Sequence, residues 1–133
     1  MTAEECGQFL RPLQSSSDAL EKPPLRGGML MKETHSLPSE WHVRYVELND
    51  GQISWWQTKE DADGGAEPQK RFELLGLQVR QMGSTFSMRS NASNGIVYNF
   101  SAVESSDEEE AYEWVCALRK QAAFSKRKFR DGK

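Results

Sequence analysis

The stretch GMLMKETHSLPSEWHVRYVEL, Gly28–Leu48, decides how this chain is read. It opens on a short alternating run, breaks at ETHSLPSE, and resumes as WHVRYVEL, where apolar and polar positions alternate again. A period of two marks strands with one buried and one wet face, and a polar break containing proline marks the loop between them. Basic residues stand at both mouths of that loop. Lys32 ends the first run, His42 and Arg44 begin the second, and the loop itself carries Glu33 and Glu40. Alternation places Leu30 with Lys32, and His42 with Arg44, Val46 and Leu48, so that the apolar members fill an interior and the polar ones reach its rim.

The same period continues outward. QISWWQ follows across Asn49-Asp50-Gly51, a tight hairpin signal. KEDADGGAEPQ reads as a long polar loop. KRFELL, LQVRQ, TFSMRS and IVYNFSAV read as further short strands, separated by Gly76, Met82-Gly83 and Asn91 to Gly95. Then the period changes. In SSDEEEAYEWVCALRKQAAF the residues Ala111, Trp114, Val115, Leu118 and Ala122 share one helical face, with Ser105 or Ser106 as the expected cap and Glu108 or Glu109 completing a capping box. The expected fold is therefore mainly β within the α+β class. It is a seven-stranded antiparallel half-open barrel of two orthogonal sheets, capped by one C-terminal amphipathic helix. Trp41, Tyr45, Phe100, Trp114 and Leu118 are expected in the core, and at least one of the adjacent Trp55 and Trp56 is expected at the surface.

The chain has 133 residues, 37% hydrophobic and 28% charged, which suits one domain: residues 1–25 as a flexible arm or linker, 26–124 as the domain, and 125–133 as a basic tail. Residues 26–125 hold ten basic and fifteen acidic side chains, whereas 125–133 hold five basic and one acidic. An acidic domain with a basic tail argues against nucleic-acid binding. No apolar run approaches the roughly 20 residues of a membrane span, and Met1–Leu10 carries acidic residues where a signal peptide would be basic, so a cytoplasmic or membrane-peripheral monomer is expected. Cys6 and Cys116 have no metal or redox spacing, and no disulfide framework is expected. Asp61, Asp63 and Glu67 do not match a calcium loop, and neither His35 nor His42 has a nucleophile in a motif. A binding module without catalytic residues, metal or cofactor is the expectation.

Gly28–Lys32, Trp41–Leu48 and Glu110–Leu118, in that order and spacing, resemble the signature segments of a pleckstrin homology (PH) domain, over about residues 26–124. The resemblance implies an anionic lipid head group at the open end of the barrel, held by Lys32, His42 and Arg44, with Trp56 standing where tight-binding members carry a tyrosine. Those members also have a lysine or arginine where this chain has His42. That departure implies a narrower site, suited to the single phosphomonoester of phosphatidic acid or to a weakly held phosphoinositide. Leu37 at the loop tip and Lys126, Arg127, Lys128 and Arg130 are the expected membrane contacts. In size the chain is similar to small single-domain acylated PH proteins of apicomplexan parasites that bind phosphatidic acid, although residue 2 is threonine where N-myristoylation needs glycine. The alternative is a protein-interaction module on the same fold, with the basic rim incidental.

Overall fold

The two halves of Gly28–Leu48 pair as antiparallel strands. β1 (Arg26–Glu33) runs against β2 (Trp41–Asn49), with Leu30 opposite Arg44 and Lys32 opposite His42. The computed structural model describes residues 22–104 and 106–131. β2 turns into β3 (Gln52–Trp56) through Asp50 and Gly51, whose φ angles of 58° and 79° match the twist of a two-residue hairpin. β4 (Lys70–Glu73), β5 (Gln78–Met82), β6 (Thr85–Arg89) and β7 (Tyr98–Ser101) complete the expected seven strands.

The strands form one hydrogen-bonded sheet in the order β4-β3-β2-β1-β7-β6-β5. β1 links its two halves: it pairs with β2 along its length but with β7 only at Met31–Ser101 and Lys32–Phe100. β4 and β5 remain as edges, so the barrel stays open. The inner face gathers Leu30, Val46, Leu48, Ile53, Trp55, Phe72, Phe86, Met88 and Phe100, and the C-terminal helix closes this core with Trp114, Val115 and Leu118.

That helix, Glu108–Asp131, differs from expectation at both ends. Its cap is Asp107, the residue directly before it, whose carboxylate accepts the Glu110 N–H at 2.9 Å. Ser105, one of the two caps expected, lies outside the described residues. At the other end the basic residues expected in a tail continue the helix. The cause is packing: Phe124 and Ser125 are buried, Ser125 Oγ donates to Glu73 Oε1 at 2.9 Å, and Lys128 Nζ donates to the Asp50 carbonyl at 2.7 Å and to Glu73 Oε2 at 3.3 Å. Gln121, also buried, accepts the Gly51 N–H at 2.8 Å and donates to Leu48 O and Pro24 O. Of the expected arm, residues 1–21 lie outside the described residues, and Pro23 and Leu25 lie along the helix.

The polar segment after β3 is a short helix, Lys59–Asp63, capped by Thr58 Oγ1, which accepts the Asp61 N–H at 3.0 Å. With the turn after it, this helix covers the outer face of β2–β3. Trp56, expected near the mouth, is therefore buried, its indole N–H donating to Ala66 O at 2.8 Å and its ring 6.0 Å from that of Tyr45. Trp55 on the inner face is buried as well, so neither tryptophan of the pair is at the surface. Trp41, expected in the core, is 39% exposed, because it shares the outer face with Val43 beyond the reach of the short helix. Cys116 is disulfide-bonded, contrary to the reading of the cysteine spacing, and its partner lies outside the described residues.

Gln121→Leu keeps the volume of the side chain and leaves the buried Gly51 N–H without an acceptor. Urea unfolding should show a loss of about 1–3 kcal/mol. An unchanged midpoint would mean that the helix end is held by Lys128 and Ser125 alone.

Candidate anion-binding mouth

Lys32 and Arg44 meet on the inner face where β1 and β2 diverge into their loop. Their backbones are offset by two cross-strand pairs, since Lys32 opposes His42 and Arg44 opposes Leu30. The Lys32 ammonium lies over two core aromatics, 5.3 Å from the Trp55 ring centre and 5.5 Å from that of Tyr98. Burial holds its pKa below the usual lysine value of 10.5, and the adjacent Arg44 guanidinium lowers it further. The aromatic faces offset part of that cost through cation–π attraction. Arg44 is oriented by two bonds, Nε to Gln69 Oε1 at 3.0 Å and an Nη to Val43 O at 2.8 Å. The two groups are therefore held near enough for their charges to interact.

The loop that frames the opening is braced internally. Thr34 N donates to Glu40 O at 2.7 Å, and Glu40 N donates to Thr34 Oγ1 at 2.9 Å. Hydrogen bonds from Ser39, then from Asn99 of β7, hold the Glu33 carboxylate below the usual range and tie it to the outer side of the sheet. Glu40, the second acidic residue, accepts from His42 Nε2 at 3.1 Å. The histidine expected beside Lys32 and Arg44 is thus engaged by a carboxylate of its own loop. His35 braces the other wall, donating from Nε2 to Val97 O at 2.9 Å and meeting the Tyr98 ring edge-on. Leu37 stands at the loop tip, 96% exposed, and Ile96 and Val97 are exposed in the loop that His35 reaches.

The expected membrane contacts do not share one end of the molecule. β2 has nine residues, which at about 3.3 Å each separate the loop at Trp41 from the Asp50–Gly51 turn by about 26 Å. Leu37 lies at the first end. Lys128 is bonded to the turn at the second, with Lys126, Arg127 and Arg130 on the same helical turns. A hollow of about 420 Å³ is also away from the mouth, between Pro23–Arg26 and the outer side of the C-terminal helix, where Arg26 and Lys120 are balanced by Glu109 and Glu113.

Strand alternation was enough to place Lys32 and Arg44 on one face of the sheet. Gln69, Trp55, Tyr98 and His35 escaped it, because they reach the mouth from β3, β7 and two loops whose approach no local spacing encodes.

The family model of the PH domain matches residues 24–123. Among solved structures, the PH domain of human oxysterol-binding protein-related protein 11 superposes with a TM-score of 0.58 at 19% identity, covering 83% of this chain and 91% of that one. The C-terminal PH domain of pleckstrin, solved with an inositol pentakisphosphate, gives 0.58 at 22% identity, covering 73% and 93%. The PH domain of human pleckstrin homology domain-containing protein family A member 5 gives 0.57 at 18% identity, covering 87% and 88%. No match is found among curated proteins. These findings support the family at large and not the narrower resemblance to acylated apicomplexan proteins. With seven strands, one C-terminal helix and a family match over most of its length, the chain belongs to the PH domain family.

Proposed function

We propose that the chain is a membrane-peripheral module that holds the phosphate of an anionic lipid head group between Lys32 and Arg44. One observation carries this reading. Two like charges are held together at the mouth, and the half-buried Lys32 is disfavoured in its charged form by burial first and by the Arg44 guanidinium second. In the free protein that arrangement is unfavourable; an anion between the two cations reverses its sign. Arginine offers a planar fork to two phosphate oxygens, and lysine a point charge to a third. Membership of a family in which head groups often dock, and the inositol phosphate bound by the pleckstrin domain, favour the same ligand class.

With His42 bonded to Glu40, two fixed cations serve the site. This favours a compact phosphomonoester, that of phosphatidic acid, or a weakly held phosphoinositide, over a head group with three phosphates. Leu37 is the residue best placed to enter the bilayer interface beside it. The basic residues Lys126 to Arg130, at the far end of β2, act on the fold through Lys128 rather than at this interface.

A second reading, a protein-interaction module, is favoured by the outer face of β1–β2, where Trp41 and Val43 stand exposed beside Met31. Vesicle binding separates the two.

Lys32→Ala and Arg44→Ala should each weaken binding to vesicles containing phosphatidic acid or a phosphoinositide by about tenfold or more, since a charge-assisted contact contributes about 1.5–3 kcal/mol. Co-sedimentation indistinguishable from wild type in both variants would end the mouth assignment. Glu40→Gln removes a carboxylate from the rim and frees His42, so it should strengthen binding to the same vesicles, and a decrease would show that Glu40 serves the site instead.

Lys32→Met separates function from stability. With its pKa lowered, Lys32 binds fewer protons in the folded than in the unfolded chain just below pH 10.5, so its contribution to stability rises with pH through that window. At neutral pH the charged lysine is a burden on the fold. The methionine variant should therefore unfold at the same or a higher urea concentration than wild type while binding less anion. Because a bound phosphate favours the ammonium, head-group affinity of the wild type should fall as pH rises through the same window. A variant that loses stability and binding together would mark Lys32 as a structural residue.

A further inference from the structure

The outer face of the β5–β6 hairpin carries a second pair of cations, remote from the inner-face pair. Val79 and Met88 oppose each other and face inward, so Gln78, Arg80, Ser87 and Arg89 share the outer face. Two adjoining hollows open there, of about 190 Å³ and about 290 Å³, and both are lined by Gln78 and Arg89. Arg80, Ser87 and Val97 also line the first; Ser90 and Asn91 border the second. Arg89 Nε donates to Gln78 Oε1 at 2.8 Å, which fixes the plane of the guanidinium beside the two hollows that both residues line. Arg80 makes no hydrogen bond or ion pair among the described residues, and no carboxylate lines either hollow. On a domain whose carboxylates outnumber its cations, two arginines without an acidic neighbour form an uncompensated positive site.

We propose that Arg80 and Arg89 form a second phosphate-binding site, in which two guanidinium forks, the Gln78 amide and the Ser87 hydroxyl hold a phosphorylated polyol. Its polyol comes either as a second lipid head group or as a free inositol phosphate. The site is near enough to the mouth to act on the same membrane. Arg89 is the last residue of β6, at the start of the connection that ends in Val97, and Val97 both lines the hollow and accepts the hydrogen bond from His35 at the mouth. A bilayer engaged by Lys32 and Arg44 can thus be touched by Arg89 round the edge of the sheet, so that binding to two head groups multiplies. The assignment uses none of the residues at the mouth and stands whether or not they bind lipid.

The test uses the full chain, with the arginine Nε–H resonances as reporters. Soluble inositol hexakisphosphate should shift the signals of Arg80 and Arg89 in the wild type and equally in a Lys32→Ala/Arg44→Ala background. In Arg80→Gln/Arg89→Gln the second binding event should vanish while the Arg44 signal still responds. Phosphatidylcholine vesicles containing a phosphoinositide identify the source of the phosphate. A fall of about tenfold in vesicle affinity of the Arg80→Gln/Arg89→Gln variant assigns the site to a lipid, and loss of soluble binding with unchanged vesicle affinity assigns it to a free inositol phosphate. Silent Arg80 and Arg89 signals in the Lys32→Ala/Arg44→Ala background, together with vesicle binding unaltered by Arg80→Gln/Arg89→Gln, would overturn the proposal. Failure of Lys32 and Arg44 variants to weaken binding bears on the mouth alone.

Discussion

Trp114 enters the sheet beside Gly28, where a Cβ would stand 3.2 Å from the indole, and so fixes the helix across the end of a sheet that cannot close itself. The strand order leaves β4 and β5 each with one unpaired edge, and the interior between them would be wet without a cover. A fully buried tryptophan, flanked on its helical face by Ala111, Val115 and Leu118, supplies that cover. Truncations of such side chains cost about 3–5 kcal/mol in other proteins, a large part of the stability of a domain this size. Arg26 stacks over the same ring at 4.6 Å, and Trp114 Nε1 is left without a hydrogen-bond partner among the described residues. Apolar contact, not polar pairing, holds this junction.

From there the helix runs past the core and attaches to the β2–β3 turn through Gln121, Ser125 and Lys128. Glu73 is the common acceptor for Ser125, Lys128 and Gln52, so one carboxylate ties the edge strand β4, β3 and the helix together. The consequence is a molecule with two different ends. At one, basic residues are drawn into structural bonds; at the other, the sheet opens between braced loops and exposes Lys32 and Arg44. A net count of charge would treat these cations alike, but their partners divide them.

The two faces of the sheet divide the remaining candidates in the same way. Inward-facing positions of β1 and β2 carry Lys32 and Arg44, the former above Trp55 and Tyr98, while outward-facing positions of β5 and β6 carry Arg80 and Arg89. Between them the outer face of β1–β2 presents Met31, Trp41 and Val43, an apolar strip that the short helix Lys59–Asp63 does not reach. A small β fold thus offers chemically distinct surfaces without any change of backbone, because alternation sends neighbours in sequence to opposite sides.

Periodicity by itself determined the strands, the Asp50–Gly51 hairpin, the amphipathic helix and the pairing of Lys32 with Arg44 on one face, since each depends on residues close in sequence. The sequence could not reveal that Glu40 would engage His42, that a short helix would bury Trp56 and stop short of Trp41, or that the last basic residues would extend the helix. Those outcomes depend on which segments meet in space. Ala66 lies ten positions from Trp56, Gln69 twenty-five from Arg44, and Asp50 seventy-eight from Lys128. Local spacing carries which face a side chain takes; only the closed fold decides what stands opposite it.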